Sequence, residues 1–159
     1  MRYFLIIITL IMLQNQTSAQ LVDTKHSFHH TETTSLAPES IWKAWTDVPT
    51  WQEWDSGLQS ATLEGDWRLG AKGKLTPDKG PKVKFEVVEF VEGQSYTMKM
   101  PLPLGSFYLH RFLTEKDGQT QFTHQIYFKG LTAGIFAHSM GERYQSMLPP
   151  VMQALIESR

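Results

Sequence analysis

Residues 37–55 read APESIWKAWTDVPTWQEWD, and this stretch predicts two short helices in succession. Pro38 is favoured in the first turn of a helix, where no amide hydrogen is needed, and Glu39 suits the positive end of the helix dipole. Pro49 disfavours helical structure in the residue before it, so the first helix should end near Asp47. The tryptophan-rich remainder of the stretch predicts a second short helix or turn.

The sequence on both sides of this stretch predicts β-strands. Residues 24–34 are rich in Thr, His and Ser around a central Phe28 and indicate a first strand. After residue 57 the pattern alternates between apolar and polar residues, as in half-buried strands. The alternation slips after Val87, which predicts a β-bulge. We expect strands at residues 58–64, 70–76, 82–91 and 95–100, with a turn at 77–81 and a break in the sheet at 101–105.

A long hairpin follows, with arms at 106–116 and 119–129 joined at Asp117-Gly118. On the second arm Phe122, His124, Ile126 and Phe128 share one face, which we take as the inward face. A two-residue turn sets Arg111 opposite His124, whereas a three-residue loop that includes Lys116 sets His110 there. Both registers are acceptable, and the two-residue turn is slightly preferred.

The chain after Gly130 predicts a long amphipathic helix. Its apolar residues follow three-and-four spacing, and Pro149-Pro150 interrupts them. Proline inside a helix removes a hydrogen bond and kinks the axis. We therefore expect either one bent helix or two helices in line.

Composition limits the function classes. The 159 residues fit one domain, carry a net charge of −1 and include no cysteine. The lack of any Lys/Arg run argues against nucleic acid as a partner. The lack of cysteine excludes a disulfide frame, a thiolate nucleophile and a sulfur-based metal site.

The N-terminus resembles a secretory signal peptide. Arg2 precedes an apolar run to Leu13, and Thr17-Ser18-Ala19 places small residues before a cut after Ala19. We predict a signal peptide at residues 1–19 and an exported protein, periplasmic or secreted; the alternative is that the apolar run remains as a short uncleaved anchor. After cleavage no stable membrane span is expected.

The order of elements resembles the START/Bet v 1-like (SRPBCC) superfamily, in its polyketide cyclase/dehydrase-like branch. The matching stretches are 37–42 with 45–47, then 51–55, and 64–65 with 70–73. The resemblance implies an α+β helix-grip domain over residues 20–159. In that fold a curved antiparallel sheet of six to seven strands wraps around a long C-terminal helix, and two short helices follow strand 1. A lipocalin-like fold is disfavoured because it has no place for the early helix pair or the terminal helix.

A helix-grip fold implies a space between sheet and terminal helix, which aromatic and Met side chains would line as a ligand cavity. The alternative is that the same side chains make a solid core. The predicted ligand-binding residues are Trp54, Trp67, Phe85, Tyr96, Met98, Met100, Phe122, His124, Ile126, Phe128, Phe136, Met140 and Tyr144.

Three function classes follow from these residues. The first is binding or carrying of a hydrophobic small molecule, such as a lipid, an aromatic or a polyketide-like compound. The second is a cyclase- or dehydratase-type enzyme with Arg111, His124 and Tyr96 as candidate catalytic residues. The third is a protein-interaction module with a vestigial cavity. No cofactor and no metal is predicted, because His110 and His124 have no third ligand at a recognisable spacing.

Overall fold

A seven-stranded antiparallel sheet and one long helix dominate the part of the chain that the computed structural model describes, residues 20–159. The predicted signal peptide, residues 1–19, lies outside the described residues. The strands are β1 Ser27–Thr34, β2 Leu58–Leu63, β3 Lys72–Pro77, β4 Val83–Val91, β5 Ser95–Leu102, β6 Gly105–Lys116 and β7 Gln119–Gly130. The helices are α1 Pro38–Thr46, α2 Trp51–Trp54 and α3 Ala133–Glu157, with a 3-10 turn at Val48–Thr50.

The strand order is β1-β7-β6-β5-β4-β3-β2, so β2 to β7 form a meander and β1 pairs with the last strand. Because each pair is antiparallel, successive turns alternate between the two ends of the sheet. The β3–β4 and β5–β6 turns and the β7–α3 connection share one end, which we name the mouth end. The β2–β3, β4–β5 and β6–β7 turns share the other, the far end. This architecture confirms the predicted helix-grip fold.

The helix pair forms as its sequence predicts. Pro38 lies in the first turn of α1, and the helix ends at Asp47. The apolar face of α1 is buried, including Ile41 and Trp45. The indole of Trp51, at the start of α2, donates a 3.1 Å hydrogen bond to the carbonyl oxygen of Trp45 and so ties the two helices together.

Strand β4 contains the predicted bulge. Val87 pairs with Met98 and Glu89 with Thr97, which leaves Val88 as the extra residue. The predicted break at 101–105 is wrong, because β5 continues to Leu102 and pairs it with Gly105 at the start of β6. A two-residue turn suffices there because Leu104 adopts a left-handed backbone with φ of 55°.

The β6–β7 hairpin has the two-residue turn. Asp117 and Gly118 adopt φ values of 53° and 73°, as a primed turn requires, and Lys116 pairs with Gln119. Arg111 therefore lies opposite His124, which confirms the preferred register. In the other register His110 would have faced inward. It lies instead on the opposite face of the sheet, where its Nδ1 is 2.8 Å from the Thr97 hydroxyl.

Helix α3 continues as one helix through Pro149 and Pro150, so the alternative of two helices in line is wrong. It packs on β1 and β7, at one side of the curved sheet. The helix approaches β1 closely at Gly141, where an added Cβ would overlap the Phe28 ring. Among residues 20–159 no helix has both the length and the apolar character that a membrane span needs.

Candidate functional site

A cavity of about 670 Å³ lies between the concave face of the sheet, α2 and α3. The middle strands and the helix supply its apolar walls. It reaches the surface at the mouth end, where the exposed residues Lys79, Pro81 and Lys82 line it. The apolar lining includes Leu75, Met98, Met100, Phe107, Leu109, Ile126, Phe136, Met140, Met147, Leu148 and Val151.

The inner end of the cavity carries a buried cation, the guanidinium of Arg111 on β6, which is only 2% exposed. Its Nη1 donates a 2.7 Å hydrogen bond to the hydroxyl of Tyr96. Its central carbon lies 5.1 Å from the Trp51 ring and 5.2 Å from the Trp54 ring, within cation–π range. Within the described part of the chain, no carboxylate lies within 4.0 Å of it, and its Nε has no hydrogen-bond partner. Aromatic rings thus surround the guanidinium and leave it able to bind an anion.

His124 on β7 lines the cavity beside Arg111, packed against Trp45 at 5.5 Å between ring centroids. Burial lowers the pKa of His124 well below its usual value, and the nearby positive charge of Arg111 lowers it further. The imidazole is therefore neutral at physiological pH. Its buried Nε2 has no hydrogen-bond partner among residues 20–159.

Asp55, which follows α2, also lines the inner part of the cavity. Its carboxylate accepts a 3.0 Å hydrogen bond from the backbone amide of Gly57. Burial raises the pKa of Asp55, while the charge of Arg111 and the Gly57 hydrogen bond oppose that rise. Asp55 is thus a weak counter-ion that does not bond directly to the guanidinium.

Eight predicted residues border the cavity and six do not. Those that border it are Arg111, His124, Met98, Met100, Ile126, Phe136, Met140 and Tyr144. Five of the six others pack behind the lining: Phe85 against Trp51, Phe128 against Phe107, Phe122 against Trp45, Trp54 beside Arg111, and Trp67 on the ring of Tyr96.

Tyr96 is the predicted catalytic residue that the structure places outside the cavity. It is fully buried, and its hydroxyl accepts from Arg111 while donating a 3.3 Å hydrogen bond to the Trp45 carbonyl oxygen. Burial raises the pKa of Tyr96, so its hydroxyl stays protonated. Tyr96 therefore positions Arg111 from behind and is not placed to contact a ligand.

Several residues that line the cavity were not predicted from the sequence. Arg143 and Met147 line the cavity from α3. Met147 belongs to the apolar face that three-and-four spacing predicts but was not predicted to bind a ligand, and the position of Arg143 three residues after Met140 would have indicated it. Trp51 and Asp55 carried no such signal, because only the tertiary path of α2 across the inner end brings them to the cavity. No group of three or more His, Asp or Glu side chains able to hold a metal occurs within residues 20–159.

The sequence from residue 25 to 157 matches the family model described as polyketide cyclase / dehydrase and lipid transport. The chain belongs to this family. Membership confirms the SRPBCC resemblance inferred from the sequence and makes this a Bet v 1-like ligand-binding or polyketide cyclase fold. No curated protein matches the sequence.

Solved structures of low sequence identity share the fold. Ara h 8.0201 is 14% identical with a TM-score of 0.61, covering 83% of this chain and 98% of that one. Major latex-like protein 151 from Panax ginseng is 16% identical with a TM-score of 0.61, covering 81% and 93%. The di-domain ARO/CYC StfQ of the steffimycin biosynthetic pathway is 11% identical with a TM-score of 0.65, covering 81% of this chain and 48% of StfQ. At these identities the likeness concerns the fold alone.

Proposed function

We propose that this domain binds a hydrophobic small molecule carrying one acidic oxygen group, such as a carboxylate, phenolate or enolate. The observation that supports the proposal is the buried guanidinium of Arg111 at the inner end of a mostly apolar cavity. A cavity of about 670 Å³ falls within the range of small-molecule sites, which combine apolar walls with few polar groups.

The surroundings of Arg111 favour an anion over a neutral group. A buried charge is costly unless it is paired, and charge-assisted hydrogen bonds to an oxyanion are the strongest that a guanidinium makes. The carboxylate of Asp55 does not pair with it directly, and His124 is neutral. An acidic oxygen at the inner end would supply the missing counter-charge while the apolar body of the ligand occupies the walls.

The test compares dodecanoic acid with dodecanol, which has the same chain and no charge. Arg111→Met should weaken dodecanoate binding at least about ten-fold, because a hydrogen bond to a charged group contributes roughly 1.5–3 kcal/mol. Binding of dodecanol should change less than about three-fold. Displacement of a neutral fluorescent apolar probe such as 1-anilinonaphthalene measures both affinities, since the probe itself carries no charge that Arg111 could bind.

Lys79→Met is the matched control, since it removes a cation from the mouth of the same cavity and should affect both ligands equally. Arg111→Met should fold, because no carboxylate among residues 20–159 lies within 4.0 Å of Arg111 to be left unpaired, and the Tyr96 hydroxyl keeps its hydrogen bond to the Trp45 carbonyl oxygen. Equal losses for the acid and the alcohol in Arg111→Met would contradict the proposal.

A cyclase or dehydratase activity is the second candidate, because Arg111 and His124 meet at one end of the same cavity. It has less support. His124 is neutral and so cannot donate a proton from an imidazolium, and the Tyr96 hydroxyl is committed to Arg111 and Trp45. Mass spectrometry of a natural ligand before and after incubation separates the two candidates, since a carrier returns the ligand unchanged.

We also propose that the domain acts outside the cytoplasm, because residues 1–19 have the order of a signal peptide. N-terminal sequencing of the protein recovered from its own host should begin at Gln20. A mature chain that still begins at Met1 would contradict this proposal.

A further inference from the structure

Three aliphatic side chains project into solvent at the mouth end of the sheet. Leu104, Leu131 and Ile135 are 73%, 87% and 68% exposed. Leu104 lies in the β5–β6 turn, and its carbonyl oxygen accepts a 3.0 Å hydrogen bond from the amide of Leu131. Ile135 follows one helical turn later, in α3. We name these three residues the apolar tip.

The apolar tip is continuous with the mouth of the cavity. The hydroxyl of Thr132, next to Leu131, donates a 2.6 Å hydrogen bond to the carbonyl oxygen of Pro103 and joins the two loops. The chain neighbours of the tip, Leu102 and Phe136, are half-buried and line the cavity. An apolar path therefore runs from the exposed tip into the cavity.

Lysine side chains lie at the mouth end of the molecule. The exposed Lys79 and Lys82 of the β3–β4 turn line the mouth of the cavity, as does Lys84 at the start of β4. Lys129, at the end of β7, lies instead on the face of the sheet away from the cavity, where its ammonium is 5.2 Å from the Tyr127 ring. Asp78 is the acidic residue of the β3–β4 turn. The mouth end therefore combines projecting aliphatic side chains with positive charge.

We propose that the mouth end docks on an anionic lipid bilayer, with the apolar tip inserted among the lipids and the lysines against their headgroups. Aliphatic side chains with neighbouring cations are the combination that binds an anionic membrane surface. A stable protein interface buries about 800 Å² on each partner. Three side chains on two loops are too few for such an interface, so the bilayer fits this end better than a protein partner.

Docking and ligand binding are separable. Arg111 lies at the inner end of the cavity and the apolar tip outside its mouth, so each can be altered without changing the other. Bilayer docking thus goes beyond the proposed function and would stand if the cavity bound a different ligand. Docking would place the mouth of the cavity against the lipid bilayer, where hydrophobic ligands are most concentrated.

The chain has no cysteine, so a thiol-reactive fluorophore attaches only at the one cysteine that a substitution introduces. In the chain that begins at Gln20, the predicted mature N-terminus, Leu131→Cys carrying an environment-sensitive nitrobenzoxadiazole group reports insertion at the tip. Leu69→Cys is the matched control: Leu69 is 66% exposed, but it lies in the β2–β3 loop at the far end. Vesicles of equimolar phosphatidylglycerol and phosphatidylcholine are compared with vesicles of phosphatidylcholine alone.

We expect a blue shift at position 131 with the phosphatidylglycerol vesicles and none at position 69. Lys79→Gln and Lys82→Gln should each weaken vesicle binding about five-fold, and Lys116→Gln at the far end should not weaken it. Equal shifts at both labelled positions, or no shift at either, would overturn the inference. So would equal binding to the two vesicle types. A shift at position 131 that grows with protein concentration without vesicles would show self-association instead.

The probe-displacement assay for dodecanoate distinguishes this inference from the proposed function. Leu131→Ser combined with Ile135→Ser should abolish vesicle binding and leave the affinity for dodecanoate unchanged. Arg111→Met should lose affinity for dodecanoate and still bind the vesicles, so failure of the proposed function would not contradict docking.

Discussion

At the scale of single residues, the site depends on a guanidinium that aromatic rings hold in place. Trp51 and Trp54 lie beside Arg111, and the Tyr96 hydroxyl fixes its orientation. The charge of Arg111 also acts on its neighbours. It lowers the pKa of His124, which burial has already lowered, and it opposes the rise that burial causes in the pKa of Asp55. Burial thus dominates the protonation of the inner end of the cavity, and the charge of Arg111 modifies it at both residues.

The lowered pKa of His124 makes stability depend on pH. Below about pH 6.5 the unfolded chain binds a proton at this histidine and the folded chain does not. The unfolding equilibrium constant should therefore rise as pH falls, by up to about ten-fold per pH unit. His124→Gln should remove this dependence in urea unfolding measured between about pH 5 and pH 7.

Burial also lowers the pKa of His110, so a smaller dependence of the same sign should remain in His124→Gln. His138→Gln is the control, because His138 is exposed on α3. An unchanged pH dependence in His124→Gln would contradict the assignment of a neutral buried imidazole.

The sequence predicted which side chains face inward but not how far along the sheet the cavity extends. Alternation placed His124 and Tyr96 on the inward face, and the Asp117-Gly118 turn gave the register that brings Arg111 to His124. Tyr96 lies beyond the end of the cavity because Trp45 and Trp67 fill the space there. That filling depends on how α1, α2 and the β2–β3 loop cross the sheet, and a two-residue period carries no information about it.

At the scale of elements, the position of α3 depends on its contact with β1. Gly141→Ala gains about 1 kcal/mol of helix propensity, but the new methyl group would overlap the rigid ring of Phe28. Overpacking of this kind costs about 1–3 kcal/mol. We expect the free energy of unfolding to fall by up to about 2 kcal/mol in urea titrations, the net of the two effects.

Gly134 provides the matched control within the same helix. An added Cβ there lies 3.4 Å from its nearest neighbour, the ring of His26, so Gly134→Ala should not lower stability. Equal effects of the two substitutions would show that α3 does not press on Phe28 at Gly141.

At the scale of the whole molecule, the cavity is unfilled space into which a larger side chain can extend, whereas a solid core has no such space. Leu109→Trp adds volume on the cavity side of β6. The larger side chain should leave the free energy of unfolding within about 1 kcal/mol of the original, because it extends into open space. It should weaken dodecanoate binding at least about ten-fold, as measured by probe displacement.

Leu113 lies on the same strand and face as Leu109, but it is buried away from the cavity. Leu113→Trp should therefore destabilise the fold by about 1–3 kcal/mol. If both substitutions destabilise equally, the space beside Leu109 is occupied by packed side chains and the molecule has a solid core.

The sheet ends at two edge strands, β1 and β2, and α3 supplies the wall between them. The hydrogen bonds of a helix lie within the helix, and those of the sheet run between its strands. If α3 moved away from the sheet, both sets of bonds would persist and only side-chain contacts would separate. The cavity could therefore widen to admit a bulky ligand with every helix and strand intact.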